Sequence, residues 1–154
     1  MKSLGTPGSY EVSMYQKAWE RSGLPNAAEV IEAVLDEMDE FYEGTQDPRC
    51  RPSAYNFNIA MSAWAKRGEL DRVEYLFDRL NELYKSTGNK RLQFTNDNYK
   101  ALLVALASSG KPDSGQKAIG LIARAESARE MDASAPVPRR NLYQFAFAAI
   151  GRSS

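Results

Sequence analysis

Apolar residues recur along this chain at i, i+3, i+4 and i+7, and the stripe they form returns at a nearly constant interval. Phe57, Ala60, Met61 and Trp64 make one copy; Tyr99, Leu102, Leu103 and Leu106 make another; Tyr143, Ala146, Phe147 and Ile150 make a third. Val12, Tyr15, Gln16 and Trp19 form a weaker copy, in which Gln16 interrupts the apolar run. Starting at 12, 57, 99 and 143, these copies step by 45, 42 and 44 residues. A second series follows the first: Ile31, Val34, Leu35, Met38; then Val73, Leu76, Phe77, Leu80; then Ala118, Leu121, Ile122, Ala125. It steps by 42 and 45. Each stripe is the buried face of an amphipathic helix, and two series in phase make an array of helical hairpins. The pattern predicts first helices over 9–22, 53–67, 96–109 and 140–151, and second helices over 26–43, 70–86 and 113–131. No segment reads as a strand. The expected fold is all-α: an α-solenoid, right-handed, of about three and a half stacked antiparallel helix pairs. Its units fall at about 9–52, 53–95, 96–139 and a half unit at 140–154, behind a flexible segment at 1–8.

The turns inside the hairpins repeat as well. "RSGLPNAAEVIEAVLDEM" from Arg21 returns as "SSGKPDSGQKAIGLIARA" from Ser108, in register at an offset of 87, which is two repeats. Gly23, Gly68 and Gly110 each lie four residues past the last apolar position of a first helix, where a left-handed residue ends the helix. Pro25 and Pro112 then block continuation. Asn26 with Glu29, and Asp113 with Gln116, have capping-box spacing and are expected to start the second helices. The loops "GTQDPRCRPS" and "STGNKRLQFT" between units are polar and rich in turn formers, and are expected along one edge of the stack.

Composition narrows the function. Twenty basic residues balance twenty acidic ones in 154, so net charge gives no sign of a polyanion partner. Histidine is absent and Cys50 is the single cysteine, which removes the commonest general base and any cysteine-based metal cluster. No phosphate-binding loop, dinucleotide fingerprint or nucleophile elbow is present. The chain therefore reads as a non-enzyme with no cofactor and no metal. No apolar run is long enough to span a bilayer, and "MKSLGTPGS" has neither the length nor the character of a targeting segment. "LDEMDE" groups Asp36, Glu37, Asp39 and Glu40, read most simply as a solvated helix face. Cys50, between two arginines, reads as an incidental exposed loop thiol.

"FNIAMSAWAKRGELDRVEYLFDRL" resembles the pentatricopeptide repeat, with aromatic-Asn, an apolar pair, Ala, Lys-x-Gly and Leu-Phe-x-x-apolar; "YKALLVALASSG" carries the same outline. The resemblance runs from Val12 onward, in a lengthened variant whose steps also overlap the HEAT and armadillo range. It implies organellar gene expression or RNA processing, in a plastid or mitochondrion. The partner would be single-stranded RNA, not DNA, read about one base per repeat. The base-reading residue follows the aromatic of the first helix, which implies Asn58, with Thr95 as its partner position. Lys100, Gln144 and Arg139, at the matching places, depart from the small polar residues that role uses. Asn58 is equally readable as a solvated polar position beside the stripe.

Nine residues past the first position of each stripe, Val12 or the aromatic at 57, 99 and 143, lie Arg21, Lys66, Ser108 and Arg152. Stacking would align them as a phosphate track, although cations in a last helical turn also favour the helix dipole. The alternative function is a protein-interaction scaffold docked on a larger organellar assembly. Its partner surface would be the final helix around Tyr143, Phe145 and Phe147, of which Phe145 falls outside the stripe.

Overall fold

The computed structural model describes residues 8–153 and consists of seven α-helices with no strand among them. Residues 1–7 of the expected flexible segment lie outside the described residues. The helices are α1 (Ser9–Ser22), α2 (Ala27–Thr45), α3 (Ala54–Lys66), α4 (Leu70–Thr87), α5 (Asn96–Ser109), α6 (Ser114–Met131) and α7 (Arg140–Ser153). First helices pack in a continuous row, α1 on α3, α3 on α5 and α5 on α7. Each second helix bridges its own first helix and the next one, a packing compatible with a helical repeat. One buried cluster runs from Ala27 to Ala149, and Val12, Val34 and Met38 form a small separate one. No described helix is long and apolar enough to cross a membrane.

The hairpin turns are built locally. Gly23, Gly68 and Gly110 take φ of 68°, 73° and 63°, the left-handed conformation that a side chain would oppose. In "SG-x-P" the serine does the capping. Ser22 Oγ donates to the Trp19 carbonyl and accepts from Leu24 N–H, and Ser109 repeats this with Leu106 and Lys111.

The expected capping boxes at Asn26 and Asp113 do not form, and neither side chain makes a cap hydrogen bond. Both residues end a turn with φ, ψ near −96°, 11° and −91°, −1°, whereas a capping side chain needs extended backbone. The capping boxes stand instead at the first helices. Ser53 and Thr95 have extended backbone, and their hydroxyls accept from Asn56 and Asn98 N–H; in return each Asn Oδ1 accepts from the cap N–H at 2.9 and 2.8 Å.

Those asparagines also tie unit to unit. Asn56 Nδ2 donates to Ser13 Oγ at 3.0 Å and to Gln16 Oε1 at 3.1 Å, and Asn98 Nδ2 donates to the Ala54 carbonyl. Gln16, read as a flaw in the stripe, is fully buried, with Nε2 donating to the Ile31 carbonyl. It is the polar hub of the α1–α3 junction.

Three further expectations are corrected. Cys50 is 2% exposed, because the loop before it folds into a 3₁₀ turn (Pro48–Cys50) that turns the thiol inward. A second 3₁₀ turn (Lys90–Leu92) buries Leu92 the same way. Asp36 and Asp39 of "LDEMDE" are not simply solvated, since Arg79 of α4 bridges both. In α7 the buried positions are Leu142, Ala146 and Ala149, so the expected stripe is out of phase; Phe147 is 70% exposed.

Candidate nucleic-acid interface

Residues 55, 58, 62 and 66 are three to four apart and share one face of α3. Residues 97, 100, 101 and 104 do the same on α5. The two faces, with Lys17 from α1, line a groove of about 360 Å³. Ala101 and Val104 supply an apolar floor, and Tyr55 stands at the edge, about half exposed.

Three ammonium groups reach this groove. Lys17 and Lys66 share the carboxylate of Glu20 at 3.3 and 3.9 Å, one on each oxygen. Lys100 has no carboxylate partner among the described residues and lies 5.6 Å from the Phe145 ring centre. Asp97 is offset by Arg139 at 3.9 Å. The groove is therefore positive despite a neutral chain. Asn58 adds a polar group, since its Oδ1 is enclosed and has no hydrogen-bond partner.

The sequence candidates divide. Asn58 and Lys66 meet in the groove. Thr95 does not line it, and its hydroxyl is engaged with Asn98 at the α5 cap. Arg21 is exposed in the last turn of α1, and Arg152 at the end of α7 donates to the Ala107 carbonyl at 3.4 Å. Ser108 and Gln144 are exposed. Tyr143 donates to Glu126 Oε2 at 2.8 Å, which holds its phenol above the ordinary value. Phe145 packs against the core, and Phe147 stands clear of it.

Lys17 and Tyr55 were not anticipated. Lys17 occupies in the first unit the place of Ser62 in the second, and Ser62 stood out in the sequence no more than Lys17 did.

Comparison with protein-family models, curated proteins and solved structures returns no match.

Proposed function

We propose that the chain is a non-enzymatic binding module, an α-solenoid with lengthened repeats of pentatricopeptide type, that takes single-stranded RNA along its first-helix face. The observation that carries this reading is the groove between α3 and α5. It brings an asparagine side chain, three lysines and an exposed tyrosine ring to one concave surface. Lysines suit backbone phosphates, the ring suits stacking, and an amide suits a base edge. The resemblance supplies the organellar setting. A protein-scaffold reading has its own support in Phe147, an exposed aromatic on a helix whose buried side is already filled.

Single-stranded RNA titrated at two salt concentrations separates these. Lys66→Ala with Lys100→Ala weakens binding for all sequences and flattens the log–log salt slope by roughly 1.4, about 0.7 per contact. Asn58→Ala changes preference at one base and leaves the slope intact. Arg21→Ala with Arg152→Ala, outside the groove, has little effect. Identical curves for wild type and the lysine double variant would end the RNA reading. Retention of a protein partner that Phe147→Ser releases would favour the scaffold.

A further inference from the structure

Charged side chains between successive units, on the second helices and the turns before them, repeat as rungs. Arg67 pairs with Glu29 and, one unit on, Lys111 with Asp71; Arg72 pairs with Glu32, and Lys117 with Glu74. At the third rung the units part. Arg79 of α4 lies over the Phe57 ring and clasps Asp36 and Asp39 of α2. Its counterpart 45 residues on is Arg124 of α6, 5.3 Å over the Phe77 ring. The counterparts of the two aspartates, 42 residues on, are Asp78 and Asn81. One carboxylate of the clasp is gone, and Arg124 pairs with no carboxylate among the described residues.

The packing opens at the same place. Gly120 stands where α4 carries Tyr75, and Ala125 where α4 carries Leu80. The outcome is a groove of about 630 Å³ between α4 and α6. Phe77, Leu102, Leu106 and Leu121 form its floor, and Asp78 and Arg124 stand on its rim. A Cβ built on Gly120 meets nothing within 4 Å. The groove lies on the side of α5 opposite the lysine groove and is independent of the RNA reading.

The α2–α4 junction carries what this one lacks: a large side chain at the place of Gly120, Tyr75, which lies half exposed against Arg72, and a second carboxylate for the guanidinium. We propose that the α4–α6 groove docks a segment of a partner protein that supplies both. An aromatic or bulky aliphatic side chain covers Gly120 and the apolar floor, and a neighbouring Asp or Glu pairs with Arg124. Charge selects this occupant over a nucleic acid. Lys117 neutralises Glu74, so a single carboxylate is tolerated, whereas a phosphate chain would run along Asp78 and leave the leucine floor wet.

The test is an amide-shift titration of the full chain with a blocked pentapeptide carrying adjacent phenylalanine and aspartate. Its asparagine analogue and inorganic phosphate are run alongside. Saturable shifts are expected around Gly120 and Arg124. Binding weakens about tenfold for the asparagine peptide and for Arg124→Gln, the scale of one charge-assisted contact. Gly120→Tyr fills the groove, removes a helix-interior glycine and abolishes binding with a melting temperature at or above wild type. Asn81→Asp restores the internal clasp and competes with the peptide. Equal affinity for the two peptides, peptide binding by Gly120→Tyr, or the same shifts from phosphate alone would each overturn the proposal. None of these outcomes depends on whether the α3–α5 groove binds RNA.

Discussion

In α3 the stripe positions Phe57, Ala60, Met61 and Trp64 are all buried, whereas at the same positions of α7 Tyr143 and Ile150 are half-buried and Phe147 is 70% exposed. Leu142 and Ala149, one residue before the expected places, are fully buried instead. A shift of one residue turns the buried face by roughly 100°. The cause lies in the surroundings. Helix α3 packs against α1, α2, α4 and α5, so every large apolar residue on its stripe meets a neighbour. Helix α7 packs mainly against α5 and α6, and it turns its alanines toward them. Small residues bring helix axes close, and the large ring is left outside. A period of apolar residues therefore states that a helix is amphipathic, while the neighbours choose which of two adjacent faces is sealed.

The largest effect that would break this contrast is expected at Trp64. Its ring is in the core, its indole N–H donates to Glu32 at 2.8 Å, and Arg67 lies over it. Trp64→Ala should cost roughly 3–5 kcal/mol. Trp19, partly buried in α1, should cost clearly less. Equal denaturant midpoints for the two variants would contradict the central position of α3.

Next comes the asparagine clasp. Asn56→Ala removes a cap partner and the links to Ser13 and Gln16 in a fully buried site, an expected loss of roughly 2–3 kcal/mol. Asn141 of α7 has an enclosed Oδ1 with no partner, so Asn141→Ala should be neutral within about 0.5 kcal/mol or stabilising. A comparable loss at both positions would mean that α7 is clasped as α3 is.

The two arginines sharpen the rung comparison. Arg79→Gln breaks a clasp to two carboxylates and should cost about 1 kcal/mol, less at high salt. Arg124→Gln should be close to neutral. At the surface, Phe147→Ser should change stability by no more than about 0.5 kcal/mol.

A pH scan adds the smallest expected effect. Lys90 and Ser134 hold the Asp132 carboxyl far below its ordinary 3.8. A depressed folded value contributes stability above the ordinary carboxylate range, and that contribution is lost as pH falls through the folded value. Asp132→Asn should therefore lower stability at neutral pH and flatten the acid limb of the melting curve. An unchanged acid limb would show that the pair contributes nothing.

The loops show how much more was legible. "TQDPRCRPSAYN" and "TGNKRLQFTNDN" align without a gap at an offset of 42. Thr45 and Thr87 each bond back to α2 and α4, Asp47 and Asn89 each accept from the N–H two residues on, and Cys50 and Leu92 each plug the core. Pairing Cys50 with Leu92 in that alignment exposes it as a core residue, and Ser53 with Thr95 marks the caps. Composition alone, polar and rich in turn formers, hid both. The α3–α5 groove was half legible: Asn58 and Lys66 stood out, and Lys17 and Tyr55 did not.

By itself the sequence determined the number of helices, their bounds to within a residue or two, and the left-handed glycines that end three of them. Those features rest on interactions within a few residues, namely apolar period, turn stereochemistry and the serine and proline of the first and third hairpins. Only the tertiary structure decided that Gln16 is a buried hub. It also decided that α7 seals on Leu142 and Ala149, and that Arg124 stands open where Arg79 is clasped. Each of these depends on the surface brought opposite by the neighbouring unit. No local signal reports whether a polar group will find its partner there, or a gap.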